Sequence, residues 1–201
     1  MRILLTIAVF LFSIAAAAQP QSPVAPSVRA LVNDAERKSV IAATEAWLVR
    51  KDVSQSERLA QVRILAEGGN YYAQLVLIEV YDAQCGIANN DLCGVVPRDR
   101  VEAQKWRYEI AREDRPEIPY FYKSWPQSRL AYDHYYAAGP KYDPEDENCK
   151  AALVYAEQSY ANGYRCVAQL LELMYGLGHC VKADQDIRTE WSKRSIGCPR
   201  Y

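Results

Sequence analysis

The chain has 201 residues, of which half are hydrophobic and 24% charged, enough apolar material for one domain with a buried core and far from the balance of a disordered chain. Lys and Arg number 24 against 25 Asp and Glu, a net charge of −1 that supplies no global positive field for a phosphate backbone. A multidomain machine is excluded, and nucleic acid is not an expected partner.

Arg2 is followed by an apolar run from Ile3 to Ala18, and Ala16-Ala17-Ala18 offers the small side chains a signal peptidase requires. Residues 1–18 therefore read as a signal peptide cleaved after Ala18. The run is shorter than the roughly 20 residues that cross a hydrocarbon core, and no Cys follows it for lipid attachment. A periplasmic or secreted protein is expected, with no stable membrane insertion after cleavage. Residues 19–27, QPQSPVAPS, carry three prolines and no apolar period, the pattern of a linker.

From Val28 onward the apolar positions recur at helical spacing, first Leu31, Ala35, Val40, Ala43, Trp47 and Leu48, then Leu59, Val62, Leu65 and Ala66. Nothing alternates as a strand would. Glycines and prolines fall between the periodic segments, where helix ends belong. The spacing predicts helices near 28–50, 56–67, 71–83, 100–112, 127–138, 149–162, 165–176 and 185–195. Residues 28–201 are expected to form an all-α domain of antiparallel helical hairpins.

A repeat is visible along this array. Ala73, Tyr81, Gly94, Asp99, Ala103 and Trp106 have counterparts in Val167, Tyr175, Gly176, Asp184, Arg188 and Trp191, with identical spacing from the Asp to the Trp. A degenerate copy between them holds Tyr135 or Tyr136, Ala138-Gly139, Asn148, Ala152 and Tyr155. A small residue and an aromatic three positions later share one helix face, so the helix approaches its neighbour closely while the ring fills the space behind. Asp99 and Asp184 suit the helix N-terminus, where a carboxylate meets free N–H groups.

At these residues the chain resembles the Sel-1-like repeat family, relatives of the tetratricopeptide repeat. GVVPRDRVEAQKWRYEIA, from Gly94 to Ala111, and YGLGHCVKADQDIRTEW, from Tyr175 to Trp191, look like second halves of such repeats. RILAEGGNYYAQ, from Arg63 to Gln74, is similar to the junction between one repeat and the next. The resemblance covers residues 55–112 and 127–196 and implies a short α/α solenoid. Three features depart from it: the loop between Cys85 and Cys93, Arg188 in place of a small residue, and residues 114–126, which break the period.

Cys85, Cys93, Cys149, Cys166, Cys180 and Cys198 all follow the signal, an even number that fits three disulfides in an oxidising compartment. Zinc is the competing reading, but there is no C-x-x-C and only His134 and His179 to assist. In the stack the resemblance implies, consecutive helices run antiparallel and each Cys falls at a helix end. The pairing expected from that arrangement is Cys85–Cys93, Cys149–Cys180 and Cys166–Cys198.

Chemistry is harder to place. The chain contains neither S-x-x-K nor G-x-S-x-G, and bridged cysteines leave no thiolate. His134 reads as a helix histidine among aromatics, and His179 as part of a helix end. Glu102, Glu109, Glu113, Glu145, Asp146 and Glu147 show no spacing beyond that of solvated helix faces and an acidic lead into a helix. No catalytic residue, metal site or cofactor is assigned.

Binding is better supported, since the chain holds 15 Tyr against 3 Phe and tyrosine combines apolar area with a hydroxyl that tolerates water. PEIPYFYKSWPQ, residues 116–127, concentrates Tyr120, Phe121, Tyr122 and Trp125 between prolines. With Tyr71, Tyr72 and Tyr132 they form the candidate protein-binding surface. Trp106, Trp191, Tyr81 and Tyr175 are assigned to packing. The expected function is an exported module that binds another protein in the cell envelope, and the resemblance implies adaptor or immunity-type roles. The alternative, drawn from cysteine-rich exported relatives, is a β-lactam-hydrolysing or penicillin-binding repeat enzyme. This chain lacks the regular Cys pair in each repeat that marks that group.

Overall fold

The computed structural model describes residues 34–83, 91–139, 143 and 145–199. The expected signal peptide, the linker, the first turns of the first helix and Cys85 lie outside the described residues. Those described form α1 (Asp34–Leu48), α2 (Gln55–Glu67), α3 (Tyr71–Asp82), α4 (Arg100–Ala111), α5 (Tyr120–Ala137), α6 (Glu147–Ala161), α7 (Ala168–Leu177) and α8 (Gln185–Arg194). A single 3₁₀ turn, Arg165–Val167, leads into α7. No strand occurs among the described residues, and no helix there is long and apolar enough to cross a membrane.

Each helix packs on the one before and the one after it, and α1 also reaches α3. The cause is visible in α3, where eleven of twelve residues are buried because α1 and α2 cover one side and α4 the other. Two cores result. The first gathers α2, α3 and α4 around Val62, Leu77, Ile78, Trp106 and Ile110, and the second gathers the latter half of α5 with α6 and α7 around Ala152, Leu170, Leu171 and Met174. α5 joins them: Tyr122 and Trp125 lie on the first core, Ala131 and Tyr135 in the second.

Side-chain caps fix the helix starts. Ser54, Asn70, Asp99, Asp146 and Asp184 each accept backbone N–H groups of the following turn, satisfying donors that no helical carbonyl can reach. Asn70 also donates to the Val40 carbonyl at 2.9 Å and accepts from Thr44 at 3.2 Å, which anchors α1 to the start of α3.

The repeat seen in the sequence recurs in the hydrogen bonding. Asp99 donates its N–H to the Tyr81 carbonyl at 2.9 Å, and Asp184 donates to the Tyr175 carbonyl at 3.0 Å. In both, the same Asp then caps the next helix through its side chain, and the Trp seven residues on is buried. α3 and α7 also end alike, on the left-handed residues Ala83 (φ 56°) and Gly178 (φ 68°). Glycine adopts this conformation without cost, whereas Ala83 carries the Cβ penalty.

One element differs from expectation. Residues 120–126 are not part of a loop but the first turns of α5, which begins after Pro119 and carries Pro126 in its interior. An interior proline removes a helical hydrogen bond and costs about 3 kcal/mol, so local sequence argues against a helix here. Tertiary contacts offset the loss. Lys123 donates to the Arg112 carbonyl at 2.8 Å and Gln127 to the Ala111 carbonyl at 3.1 Å, so α5 caps the end of α4. The Ser159 hydroxyl of α6 donates to the Ser124 carbonyl at 2.6 Å beside the proline.

Cys149–Cys180 and Cys166–Cys198 are bonded, with Cα separations of 4.5 and 5.4 Å. Cys93 is disulfide-bonded as well, while its expected partner Cys85 lies outside the described residues. Such bonds form and persist in oxidising compartments, which is consistent with a location outside the cytoplasm.

Candidate functional site

A half-open groove of about 1280 Å³ runs along one side of the helix stack. Its floor is one face of α5, where Trp125, Arg129, Tyr132 and Tyr136 recur at helical intervals. One wall comes from the loop before α4 and its first turns, through Arg98, Arg100, Gln104 and Arg107. The other comes from α7 and the end of α8, through Gln169, Leu173, Ser192, Ile196 and the Cys166–Cys198 bridge.

A buried ion pair organises the groove's centre. Arg107 of α4 is 4% exposed and bonds Asp82 at the end of α3, itself 2% exposed, and a second arm reaches Asp133 of α5 at 3.3 Å. Burial pulls the guanidinium pKa down and the neighbouring Arg129 adds to that, while Asp133 opposes it. The pair ties α3, α4 and α5 together, so the groove floor is held rigidly. The Nε–H groups of Arg107 and Arg129 are buried without an acceptor among the described residues.

The candidate binding aromatics divide into two groups. Tyr71, Tyr72, Tyr120, Phe121 and Tyr122 meet where α3 and α5 begin, with Tyr71–Tyr122 centroids 5.2 Å apart and Phe121–Tyr122 4.2 Å apart. Tyr71 belongs to the core: it is 2% exposed, and burial pushes its hydroxyl up to about 12. Tyr72 and Tyr122 are half-buried against the first core, which leaves Tyr120 and Phe121 as that cluster's exposed members. Trp125 and Tyr132 lie in the groove instead, and Tyr132 stacks on Tyr136 at 6.2 Å.

Sequence reasoning missed Tyr136, 74% exposed, together with the groove's arginines. A signal was present, since Tyr136 stands one helical turn beyond Tyr132 and Arg129 one turn before it. Reading residues 114–126 as a break in the period hid the stripe that begins at Trp125.

The remaining polar candidates hold structure. His134 bonds the Tyr108 hydroxyl at 2.9 Å and Asn148 at 3.0 Å, joining α4, α5 and α6. His179 meets the Gly139 carbonyl at 2.5 Å and lies against Tyr135. Asp146 caps α6, Glu145 and Glu147 pair with Lys150, Glu102 with Lys105, and Glu109 with Arg112. Glu113 accepts from Gln127 at 2.9 Å. Cys149, His179 and Cys180 bring possible ligand atoms within 4.8 Å of one another, but the two sulfurs are joined and offer a metal no thiolate. Comparison with family models, curated proteins and solved structures gives no match.

Proposed function

We propose that this chain is an exported, disulfide-stapled helical-repeat module of the Sel-1-like type that binds another protein in the periplasm or outside the cell, as an adaptor or an immunity-type binder. The observation that carries this reading is the groove. At about 1280 Å³ it exceeds the roughly 300–1,000 Å³ of small-molecule sites, and it presents aromatic rings on a rigid helix. Ring-bearing anchors held on a fixed element lose little entropy on binding, the property of interface hot spots. The repeated Asp cap with its buried Trp supports the family assignment, and the disulfides support export.

The test is affinity capture from a cell-envelope extract with the oxidised protein and two variants. A partner retained by the wild type, kept by Tyr120→Ala/Phe121→Ala and lost by Tyr132→Ala/Tyr136→Ala is the expected result. Loss with the first variant alone would move the interface to the start of α5. Retention by both would remove these surfaces altogether. Turnover of a chromogenic β-lactam by the same preparation would replace the binding reading with an enzymatic one.

A further inference from the structure

We propose that the groove takes an acidic, partly apolar polypeptide segment of another protein, with its carboxylates on Arg98, Arg100 and Arg129 and its apolar side chains on Tyr136, Leu173 and Ile196. This rests on the binding reading above and supplies the chemistry of the partner.

The charge distribution carries the argument. Arg37, Arg50, Arg58, Arg107, Arg112 and Arg115 each stand within 4.0 Å of a carboxylate. Arg98, Arg100 and Arg129, all of which line the groove, have no ion pair or hydrogen bond from their side chains among the described residues. Two acids of the groove, Asp82 and Asp133, are already engaged by Arg107. In a chain whose net charge is −1, this local excess of cation is a property of the fold rather than of composition. Arg98 and Arg100 are exposed, so pairing them requires little desolvation, and guanidinium groups suit carboxylates through paired N–H donors.

The parts outside the described residues offer the arginines no acidic side chain. Residues 1–33, 84–90, 140–142, 144, 200 and 201 include no Asp or Glu, so no side chain there complements the arginines. The other wall decides between polypeptide and nucleic acid. A nucleic-acid backbone needs cations along its whole track, whereas here the groove passes to Leu173, 39% exposed, Ile196, 77% exposed, and the acid Glu172. A segment that carries both carboxylates and apolar side chains matches that mixed lining.

The test is selection of a random linear peptide display library on the oxidised protein, followed by fluorescence anisotropy with the selected peptides. Enrichment in Asp and Glu together with large apolar residues is expected. Affinity should fall roughly tenfold or more in Arg98→Glu/Arg100→Glu/Arg129→Glu and also weaken steeply in about 0.5 M NaCl. The thermal midpoint of that variant should stay near that of the wild type, because none of the three arginines sits in an ion pair among the described residues. Peptides without acidic enrichment, or affinities untouched by the charge reversal, would overturn the proposal. If binding in either case is still lost with Tyr132→Ala/Tyr136→Ala, the groove remains a binding site of other chemistry. Failure to select any peptide that depends on the groove would overturn both readings. Tighter binding of an oligouridylate than of any peptide would assign the arginines to nucleic acid instead.

Discussion

The α3–α4 hairpin and the α7–α8 hairpin are copies of one design held together by different means. In both, a Tyr carbonyl takes the N–H of a capping Asp, and a Trp seven residues later turns into the core. The first copy carries the bridged Cys93 in its loop, but its helices are closed by burial: α3 is covered on both sides, and Ala103 and Trp106 of α4 are 0% and 3% exposed. In the second, only Trp191 of α8 is buried, and Arg188 stands where Ala103 does, its side chain lying across Gly176. Two disulfides flank that copy, one at each end of α7. Among the described residues α7 packs on α6 and α8, and α8 buries only Trp191, so cross-links replace the apolar area this hairpin does not bury.

If burial holds the first copy, truncating its Trp should have the largest effect of any change considered. Trp106→Ala leaves a cavity in the first core, where Trp106 is 3% exposed among buried neighbours, and a loss of about 3–5 kcal/mol is expected in urea unfolding of the oxidised protein. Trp191 packs edge-on to Tyr160 at 5.0 Å and lies beneath Arg194, on a helix otherwise open to water. Its site can collapse, so Trp191→Ala should cost about half as much. Equal losses would break the contrast between the copies.

The cross-links come next. Cys166–Cys198 spans 32 residues, and its removal in Cys166→Ser/Cys198→Ser should cost roughly 2–4 kcal/mol. The location of the loss sharpens the comparison: amide exchange should rise through α8 and its C-terminal flank while α3 stays protected. Deprotection of α3 to the same degree would mean that the two cores unfold as one unit and that the bond acts on the whole chain.

The contrast also explains what the sequence made legible. Helical spacing, Asp caps and glycine stops are local features, and they located the starts of α2, α3, α4, α6, α7 and α8 within about three residues but not that of α5. There the deciding contacts are long-range, since Lys123 and Gln127 reach back to carbonyls at the end of α4 while Pro119 and Pro126 signal a loop locally. The two complete bridges were legible because a helix end is a local feature and antiparallel neighbours bring ends together. The groove was legible only in part. Trp125 and Tyr132 could be singled out as aromatics, but Arg98 and Arg129 come from separate elements, and only the assembled fold shows that neither meets an acid among the described residues while Arg107 engages Asp82 and Asp133.

The caps should show a smaller and symmetrical effect. Asp99 and Asp184 each accept two backbone N–H groups at 2.9–3.1 Å, so Asp99→Ala and Asp184→Ala should each cost about 1 kcal/mol despite the different surroundings of their helices. A much larger loss for Asp184 would show that α8, with little buried area, depends on its cap for nucleation.

The smallest effect concerns the loops that precede the capping residues. Eighteen positions separate Tyr81 from Asp99 but nine separate Tyr175 from Asp184, and the longer loop is tied by charge as well as by Cys93. Asp91 accepts from Arg58 at 2.7 and 3.1 Å and from Lys51 at 2.8 Å, and these cations hold its carboxyl well below the usual carboxylate range. A lowered value means that the folded chain binds the proton less readily than the unfolded chain. The stabilisation is therefore complete above the ordinary carboxylate value, about pH 4, and is lost as pH falls from there towards the lowered one. Water and salt screen this half-exposed carboxylate, so the slope should be shallow. Asp91→Asn should flatten that slope, and amide exchange in acid should rise first around residues 91–96 and at the start of α2. The shorter loop, held by Cys180, should stay protected over the same range, because a disulfide does not titrate there. Simultaneous loosening of both loops would mean that acid acts on the whole molecule and that charge is not what secures the longer one.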